Sequence, residues 1–171
     1  MEDEYRSVRR RTMIGAWAAP ALLVAAAAPA VASSVQGRLS FDTLNGFGHN
    51  WVGGRPTHIR SQVQVQNVWV TNGPTVTPIT VIVSYPATVA SGGPAVNVTG
   101  AGWAAGGVSQ SGGQVHYTFV YTPGVAPGNS TAQLDFQIPA VTPFPPSEFD
   151  ISAIASAPGA SNGTRTVNTR I

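Results

Sequence analysis

TAQLDFQIP, residues 131–139, carries the clearest strand signal in this chain. Its apolar residues occupy every second position, so in an extended chain they project from one side: Ala132, Leu134, Phe136 and Ile138. The polar residues between them are expected on the solvent side: Thr131, Gln133, Asp135 and Gln137. This two-residue period is that of a β-strand with one face in a core. Proline has no N–H to donate to a neighbouring strand, so we expect the strand to end at Pro139.

A second segment, SQVQVQNVWV at residues 61–70, alternates in the same way as far as Asn67. Val63 and Val65 are expected to face the core, and the glutamines around them the solvent. The alternation slips by one position at Gln66–Asn67, where a β-bulge would restore it for the valines that follow. Trp69 lies at the end of this run and is expected in the core.

Five further segments are rich in Val, Ile, Thr, Phe and Tyr, the residues that favour strands: GRLSFDTL, ITVIVSYP, VHYTFVY, FDISAIAS and TRTVNTR. Clusters of Gly, Pro, Asn and Ser separate them, as in TNGPTVTP and TPGVAPGNS. About seven short strands with such turn clusters predict an all-β fold, an antiparallel β-sandwich. After the N-terminal segment no window has the period of a helix, so we expect no helix beyond a single turn there.

The N-terminal segment differs from the rest of the chain in charge and composition. Four of the nine arginines lie in the first eleven residues, Arg10 and Arg11 among them, and residues 13–28 carry no charge. Ala30 and Ala32 then form a small-residue A-x-A site. A basic start, an apolar run and such a site, in this order, predict a helical signal peptide that is cleaved after Ala32. Arg10–Arg11 resembles a twin-arginine export signal, while the general secretory route and an uncleaved anchor stay open as alternatives.

These patterns divide the chain into three predicted parts. Residues 1–32 are the signal peptide, residues 33–60 an N-terminal extension with a leading strand, and residues 61–171 the β-sandwich. The signal predicts a secreted protein, extracellular or associated with the cell envelope. No contact with the membrane is expected once the signal is removed.

Charge and cysteine content exclude several classes of protein. From Ser33 onward the chain has five arginines and four acidic residues, with no basic patch of the kind that nucleic-acid binding requires. It contains no lysine and no cysteine, so it has no disulfide framework, no thiol nucleophile and no cysteine-bound metal. We therefore expect no nucleic-acid partner and no cofactor.

Five short motifs in the predicted sandwich resemble the immunoglobulin-like repeat of bacterial secreted and cell-surface proteins, a conserved repeat of unknown function. The likeness covers about residues 61–157 and depends on the order and spacing of the motifs. They are Asn72-Gly73, Tyr85-Pro86-Ala87-Thr88, Gly100-Ala101-Gly102-Trp103, Gly112-Gly113-Gln114-Val115 and Ala126-Pro127-Gly128-Asn129-Ser130. The chain departs from the family in holding a single copy, in its N-terminal stretch, and in lacking the cysteine pairs of some members.

The resemblance implies an immunoglobulin-like sandwich that serves as a surface, spacer or adhesion element, and it brings no catalytic residues. Together with the signal peptide it predicts a secreted, non-enzymatic domain with a structural or cell-surface interaction role. A cell-envelope protein or a polysaccharide would be its partner, and its oligomeric state stays open.

Few residues could support catalysis or metal binding. Three histidines could hold a metal ion together with one of two aspartates, Asp42 or Asp135: His49, His58 and His116. No pair of the histidines has the short, regular spacing of common zinc motifs. Glu148 and Asp150 lie two positions apart, so they share a face of a strand, and no G-x-S-x-G nucleophile motif is present. The sequence therefore predicts neither an enzyme nor a metal site.

NGFGHNWVGG, residues 45–54, contains the candidate binding residues. A large apolar ring in a glycine-rich loop is not easily explained by packing, and an exposed aromatic ring can bind the face of a sugar. The alternative function is therefore a small glycan- or cell-wall-binding module that uses Phe47, His49, Asn50 and Trp51. Trp103 belongs to one of the motifs above and is expected to be structural.

Overall fold

The structure is a computed structural model that describes residues 36–142 and 148–171. These residues form ten strands and no helix. The strands are β1 Gly37–Val52, β2 Arg55–Asn67, β3 Ile79–Pro86, β4 Val96–Thr99, β5 Trp103–Ser111, β6 Gln114–Tyr121, β7 Leu134–Pro139, β8 Glu148–Ser156, β9 Ala160–Ser161 and β10 Gly163–Arg170. The predicted signal peptide, with Arg10, Arg11, Ala30 and Ala32, lies outside the described residues.

Two five-stranded sheets make up the fold, the first in the order β4-β7-β2-β1-β9 and the second in the order β10-β8-β3-β6-β5. An immunoglobulin domain places its first, second, fifth and fourth strands in one sheet and its third, sixth and seventh strands in the other. β1, β2, β7 and β4 occupy the first set of positions, and β3, β8 and β10 the second. The β5–β6 hairpin extends the second sheet beside β3. The predicted all-β, immunoglobulin-like sandwich is confirmed.

The core lies between the two sheets, where the alternating side chains of both inner faces meet. Leu134, Phe136 and Ile138 are fully buried, as their alternation predicts. The Phe136 ring packs against the Phe119 ring of the second sheet, with 4.4 Å between ring centroids. The sheets pack tightly at Gly46 of β1, where an added Cβ would lie 2.4 Å from Ile151 Cδ1 of β8. Glycine at this position therefore allows the close contact between sheets.

Two polar positions of the 131–139 segment are buried, in contrast to the prediction. Thr131 lies before β7, and its Oγ1 accepts a hydrogen bond of 3.1 Å from the Val65 N–H. Gln137 lies on the outer side of the sheet opposite Arg60, and neighbouring side chains cover it. Alternation alone could not predict these contacts, because they depend on which strands are neighbours.

The predicted bulge at Gln66–Asn67 was wrong, because β2 ends at Asn67. Asn67 points inward, and its Nδ2 donates hydrogen bonds of 2.9 Å to the carbonyl oxygens of Pro74 and Val125. These bonds hold the loop that follows instead of a continued strand. The prediction that Trp69 lies in the core was also wrong, since the residue is 70% exposed. A bulge occurs in β1, between Phe41 and Thr43.

The seven predicted strands correspond to β1, β2, β3, β6, β7, β8 and β10. The position predicted as a domain boundary, after residue 60, falls inside β2, and residues 37–60 form strands of the same sheet as β7. Three strands were not predicted: β4, β5 and β9. β4 and β9 are only four and two residues long. β5 has no apolar alternation. It pairs because the Gly112–Gly113 turn, with positive φ at both residues, folds β6 back against it.

Candidate functional site

The outer face of the first sheet carries an ordered group of polar and aromatic side chains. The register aligns three rows across β1, β2 and β7, and residues directly opposite one another share a face. The rows are His49–His58–Pro139, Phe47–Arg60–Gln137 and Asn45–Gln62–Asp135. We use the name "polar platform" for Phe47, His49, His58, Arg60, Gln62, Asp135 and Gln137.

An ion pair lies at the centre of the polar platform. Arg60 Nε donates to Asp135 Oδ1 at 2.8 Å, and Arg60 Nη2 donates to Asp135 Oδ2 at 2.5 Å. Gln62 Nε2 adds a hydrogen bond of 3.1 Å to Asp135 Oδ2. The hydrogen bond from Arg60 lowers the pKa of Asp135, although partial burial opposes this. The same hydrogen bond raises the pKa of Arg60, so both groups stay charged at neutral pH.

Phe47 is the exposed aromatic ring of the polar platform. The Arg60 guanidinium carbon lies 5.6 Å from the centroid of this ring, within the range of a cation–π contact. Since Asp135 fixes the guanidinium by two parallel hydrogen bonds, the ring packs against an immobilised cation. Phe47 remains 37% exposed and is available to a ligand.

Asn50 folds back toward the polar platform because its backbone has a positive φ of 53°. Its Nδ2 lies 3.5 Å from His58 Nδ1 and 3.5 Å from Gln137 Oε1, so these contacts are long. The Thr57 hydroxyl donates to the Asn50 carbonyl oxygen at 2.7 Å and holds the turned backbone. The structure thus brings together three of the four predicted binding residues: Phe47, His49 and Asn50.

Trp51, the fourth, lies on the other side of the sheet. It is part of β1 and not of a loop. A Cβ added to Gly48 would lie 2.8 Å from Trp51 Cζ2, and Gly48 is directly opposite the buried Ile59. The indole therefore covers the core-facing side of the β1–β2 hairpin near its tip, where it is 55% exposed.

The other tryptophans occupy different regions. Trp69 follows the end of β2 that is remote from the hairpin tip. Trp103 is structural, as expected: its Nε1 donates a 2.7 Å hydrogen bond to the Ala132 carbonyl, and its ring lies 5.0 Å from that of Tyr121.

The candidate metal ligands are divided between the two sheets. His49 and His58 face each other on the polar platform, whereas His116 lies on β6. His116 contacts hydroxyl groups on both ring nitrogens, Ser84 Oγ at 2.7 Å from Nδ1 and Ser111 Oγ at 2.9 Å from Nε2. Among residues 36–142 and 148–171, no three His, Cys, Asp or Glu side chains are grouped to hold a metal ion.

Glu148 and Asp150 share the exposed face of β8, and both contact β10. Glu148 lies 3.7 Å from Arg170, and Asp150 accepts a hydrogen bond of 3.0 Å from Asn168. Across the part of the chain that the structure describes, no helix has the length and apolar character needed to cross a membrane.

No protein-family model and no curated protein matches this sequence. Among solved structures, the chain is similar to the major pilin SpaA of Corynebacterium diphtheriae, at 11% identity and a TM-score of 0.45, over 68% of this chain and 32% of the pilin. It is also similar to the collagen-binding subdomain of the Enterococcus faecalis surface protein ACE, at 12% identity and a TM-score of 0.41, over 77% of this chain and 96% of the subdomain. The chain thus spans about a third of the length of the pilin.

Sequence reasoning missed most of the polar platform. Its signal was present in the solvent-facing positions of two alternating segments, Gln62 in one and Asp135 in the other, with Arg60 directly before the first. The spacing of these residues could not indicate contact, because Arg60 and Asp135 are 75 positions apart in the sequence. They meet only because β2 and β7 are neighbours in the sheet.

Proposed function

We propose that this chain is a secreted, non-enzymatic immunoglobulin-like domain with a structural or interaction role at the cell surface, and that the polar platform is its interaction surface. Residues 1–32 would be its signal peptide, with Arg10–Arg11 as a twin-arginine signal and cleavage after Ala32. The observation that carries the proposal is the fixed Arg60–Asp135 pair beside the exposed Phe47 ring.

The electrostatics of the described residues support binding over catalysis. The clear pKa shifts have structural causes: an ion pair in which both partners stay charged, and two tyrosines made harder to ionise by burial. A general acid or base needs a pKa near the working pH and a cleft that excludes water. The polar platform is an open sheet face, and its hydrogen bonds are made between its own side chains and with Asn50.

A polysaccharide is the ligand that the polar platform supports best. Sugars are bound by an aromatic ring against their apolar face and by polar groups around it that reach their hydroxyls. Phe47 supplies the ring, and amide and imidazole groups surround it: Gln62, Gln137, Asn50, His49 and His58. Because the ion pair fixes Arg60 and Asp135 before a ligand arrives, little conformational entropy is lost on binding.

Co-sedimentation with purified bacterial cell walls and insoluble polysaccharides tests the ligand. The full 171-residue sequence would be expressed, and the N-terminus of the recovered protein determined by mass spectrometry, which also tests cleavage after Ala32. We expect saturable binding that Phe47→Ala weakens about tenfold or more. Trp69→Ala is the matched control, because it removes an exposed aromatic ring at the other end of the sandwich.

Two results would contradict parts of this proposal. If no wall or polysaccharide sediments the protein, the ligand is not a polysaccharide, and a protein partner becomes the one to seek. If Trp51→Ala or Trp69→Ala abolishes binding while Phe47→Ala does not, the interaction surface is not the polar platform.

A further inference from the structure

β5 is the outermost strand of the second sheet on the side of the inserted hairpin, with β6 as its neighbour. In an antiparallel sheet alternate residues of an edge strand direct their N–H and C=O groups away from the sheet. β5 is nine residues long, so its free edge extends over roughly 30 Å. Eight of its nine residues are exposed.

Natural sheets protect such edges with charged side chains, proline, bulges or very short strands. The opposite edge of the same sheet, β10, is protected by charge. Arg165 on β10 lies opposite the buried Ala153, so it points toward the inner side of the sheet. There its Nη1 donates to the carbonyl oxygens of Phe41 at 2.9 Å and Asp42 at 3.1 Å. β5, by contrast, contains no charged residue and no proline.

A bulge between Ala105 and Gly107 interrupts the first half of β5. Beyond it, residues 107–111 pair with β6 in unbroken register, ending at the Gly112–Gly113 turn. We call residues 107–111 the free edge segment. It is a regular, exposed and uncharged length of strand, GVSQS.

We propose that the free edge segment pairs antiparallel with the same segment of a second copy of this chain, about a two-fold axis perpendicular to the sheet. The outward backbone groups fit another strand as partner, because a strand presents donors and acceptors at matching intervals. Pairing of identical segments is isologous, and on this edge it places no like charges opposite each other. β10, in contrast, carries two arginines, Arg165 and Arg170.

The exposed apolar side chain of the free edge segment fits this arrangement. Val108 lies opposite the buried Tyr117, so it projects from the core-facing side of the sheet, where it is 37% exposed. A two-fold axis perpendicular to the sheet keeps the core-facing sides of both copies together. The second sheets of both copies would form one continuous sheet. Val108 of each copy would then be covered by side chains of the other copy.

The paired molecule would have two polar platforms, one on the first sheet of each copy, both free of the interface. Two linked binding surfaces bind a repeating polymer more tightly than one, because the second contact forms within the same complex. Self-association does not depend on the function proposed for the polar platform, and its tests use no ligand.

Analytical ultracentrifugation over a range of concentrations, from about 1 μM to about 1 mM, tests the proposal. We expect a monomer–dimer equilibrium in the full chain as recovered from expression. Val108→Lys is expected to raise the dissociation constant about tenfold or more, because it places two ammonium groups at the joined edge. Thr166→Lys on the exposed β10 edge is the matched control and should leave the constant unchanged.

Disulfide formation gives a second, direct readout, because the chain contains no cysteine. We expect Ser109→Cys, and not Thr166→Cys, to form a covalent dimer under mild oxidation. Ser109 is the central residue of the free edge segment, so antiparallel pairing of two copies places it opposite itself, within bonding distance. A wild-type protein that is monomeric at every concentration would overturn the proposal. So would equal weakening by both lysine variants, or equal crosslinking of both cysteine variants. Pairing of β5 with a different protein, with no dimer formed, would replace the second copy by that partner.

Discussion

The outer faces of the two sheets are built by the same alternation, yet they carry different chemistry. On the first sheet, Arg60 and Asp135 form a bidentate ion pair beside Phe47. On the second sheet, one row across five strands is made of hydroxyls and an imidazole: Ser109, His116, Ser84, Ser152 and Thr166. The charged residues of that face lie at the ends of β8 and β10, where Glu148 and Arg170 are 3.7 Å apart.

This difference shows that exposure alone does not define a binding surface. Ile154 on the second sheet is 47% exposed, more than Phe47 at 37%. Among the described residues, however, no ion pair orders the side chains around Ile154. Side chains that are ordered before a ligand arrives lose less freedom on binding. The polar platform has this property because Asp135 fixes Arg60 and Gln62 donates to the same carboxylate.

Removing the core ring that joins the sheets should disrupt both faces at once. Phe136→Ala deletes a fully buried ring and its contact with Phe119, and we expect it to lower the free energy of unfolding by about 3–5 kcal/mol. Ile154→Ala is the control on the outer face of the second sheet, with an expected change within about 0.5 kcal/mol. Urea denaturation measures both variants. Similar values for the two would show that the Phe136 ring does not stabilise the packing of the sheets.

Alkaline pH should act on the second sheet, because two of the tyrosines buried on its inner face have raised pKa values. Burial raises the pKa of Tyr85 far above its usual range and that of Tyr117 to about 12. The folded state favours the neutral phenol, so stability should be constant below the unfolded pKa of about 10 and fall above it. Each tyrosine should contribute about 1.4 kcal/mol of loss per pH unit above 10, and the contribution of Tyr117 should end near its folded pKa of about 12.

The free energy of unfolding, measured from pH 7 to pH 11, checks this prediction. Tyr85→Phe should reduce the slope above pH 10, because the phenol is absent in both states. At neutral pH the same variant should cost about 1–2 kcal/mol, since the Tyr85 hydroxyl donates a 2.7 Å hydrogen bond to the buried Ser61 hydroxyl. An unchanged alkaline slope in Tyr85→Phe would assign the effect to other groups.

Acid should act on the first sheet, with the smallest of these effects. The pKa of Asp135 is lowered by its hydrogen bond from Arg60, so the pair stabilises the fold above the unfolded aspartate pKa of about 3.9. That stability is lost as the pH falls through the lower pKa of the folded state. Asp135→Asn should therefore reduce the dependence of stability on pH between about 4 and 2.

Asp150→Asn on the second sheet is the matched variant, because Asp150 is exposed and has a single hydrogen bond from Asn168. We expect it to change the acid dependence less than Asp135→Asn does. Thermal unfolding monitored at several pH values compares the two. A larger effect from Asp150→Asn would reverse the difference that we infer between the faces.

Seven of the ten strands, the sandwich and the inward residues of β7 follow from the sequence alone, because a two-residue apolar period is a local property of the chain. Local pattern could not predict β5, whose AAGGVSQS composition carries no alternation and whose pairing comes from its hairpin with β6. The same limit explains why Trp69 was wrongly predicted in the core. Its position after two alternating valines suggested a continued strand, but the inward hydrogen bonds of Asn67 end β2 before it.

The sequence by itself determined the strand periods, the turn positions and the presence of aromatic residues near the first hairpin. Only the tertiary structure decided that Arg60 meets Asp135, that Trp51 lies on the opposite side from Phe47, and that β5 is a free edge. The physical reason is that periodicity depends on neighbours within a few residues, whereas sheet order depends on contacts between segments far apart in the chain. The candidate site consists of such contacts.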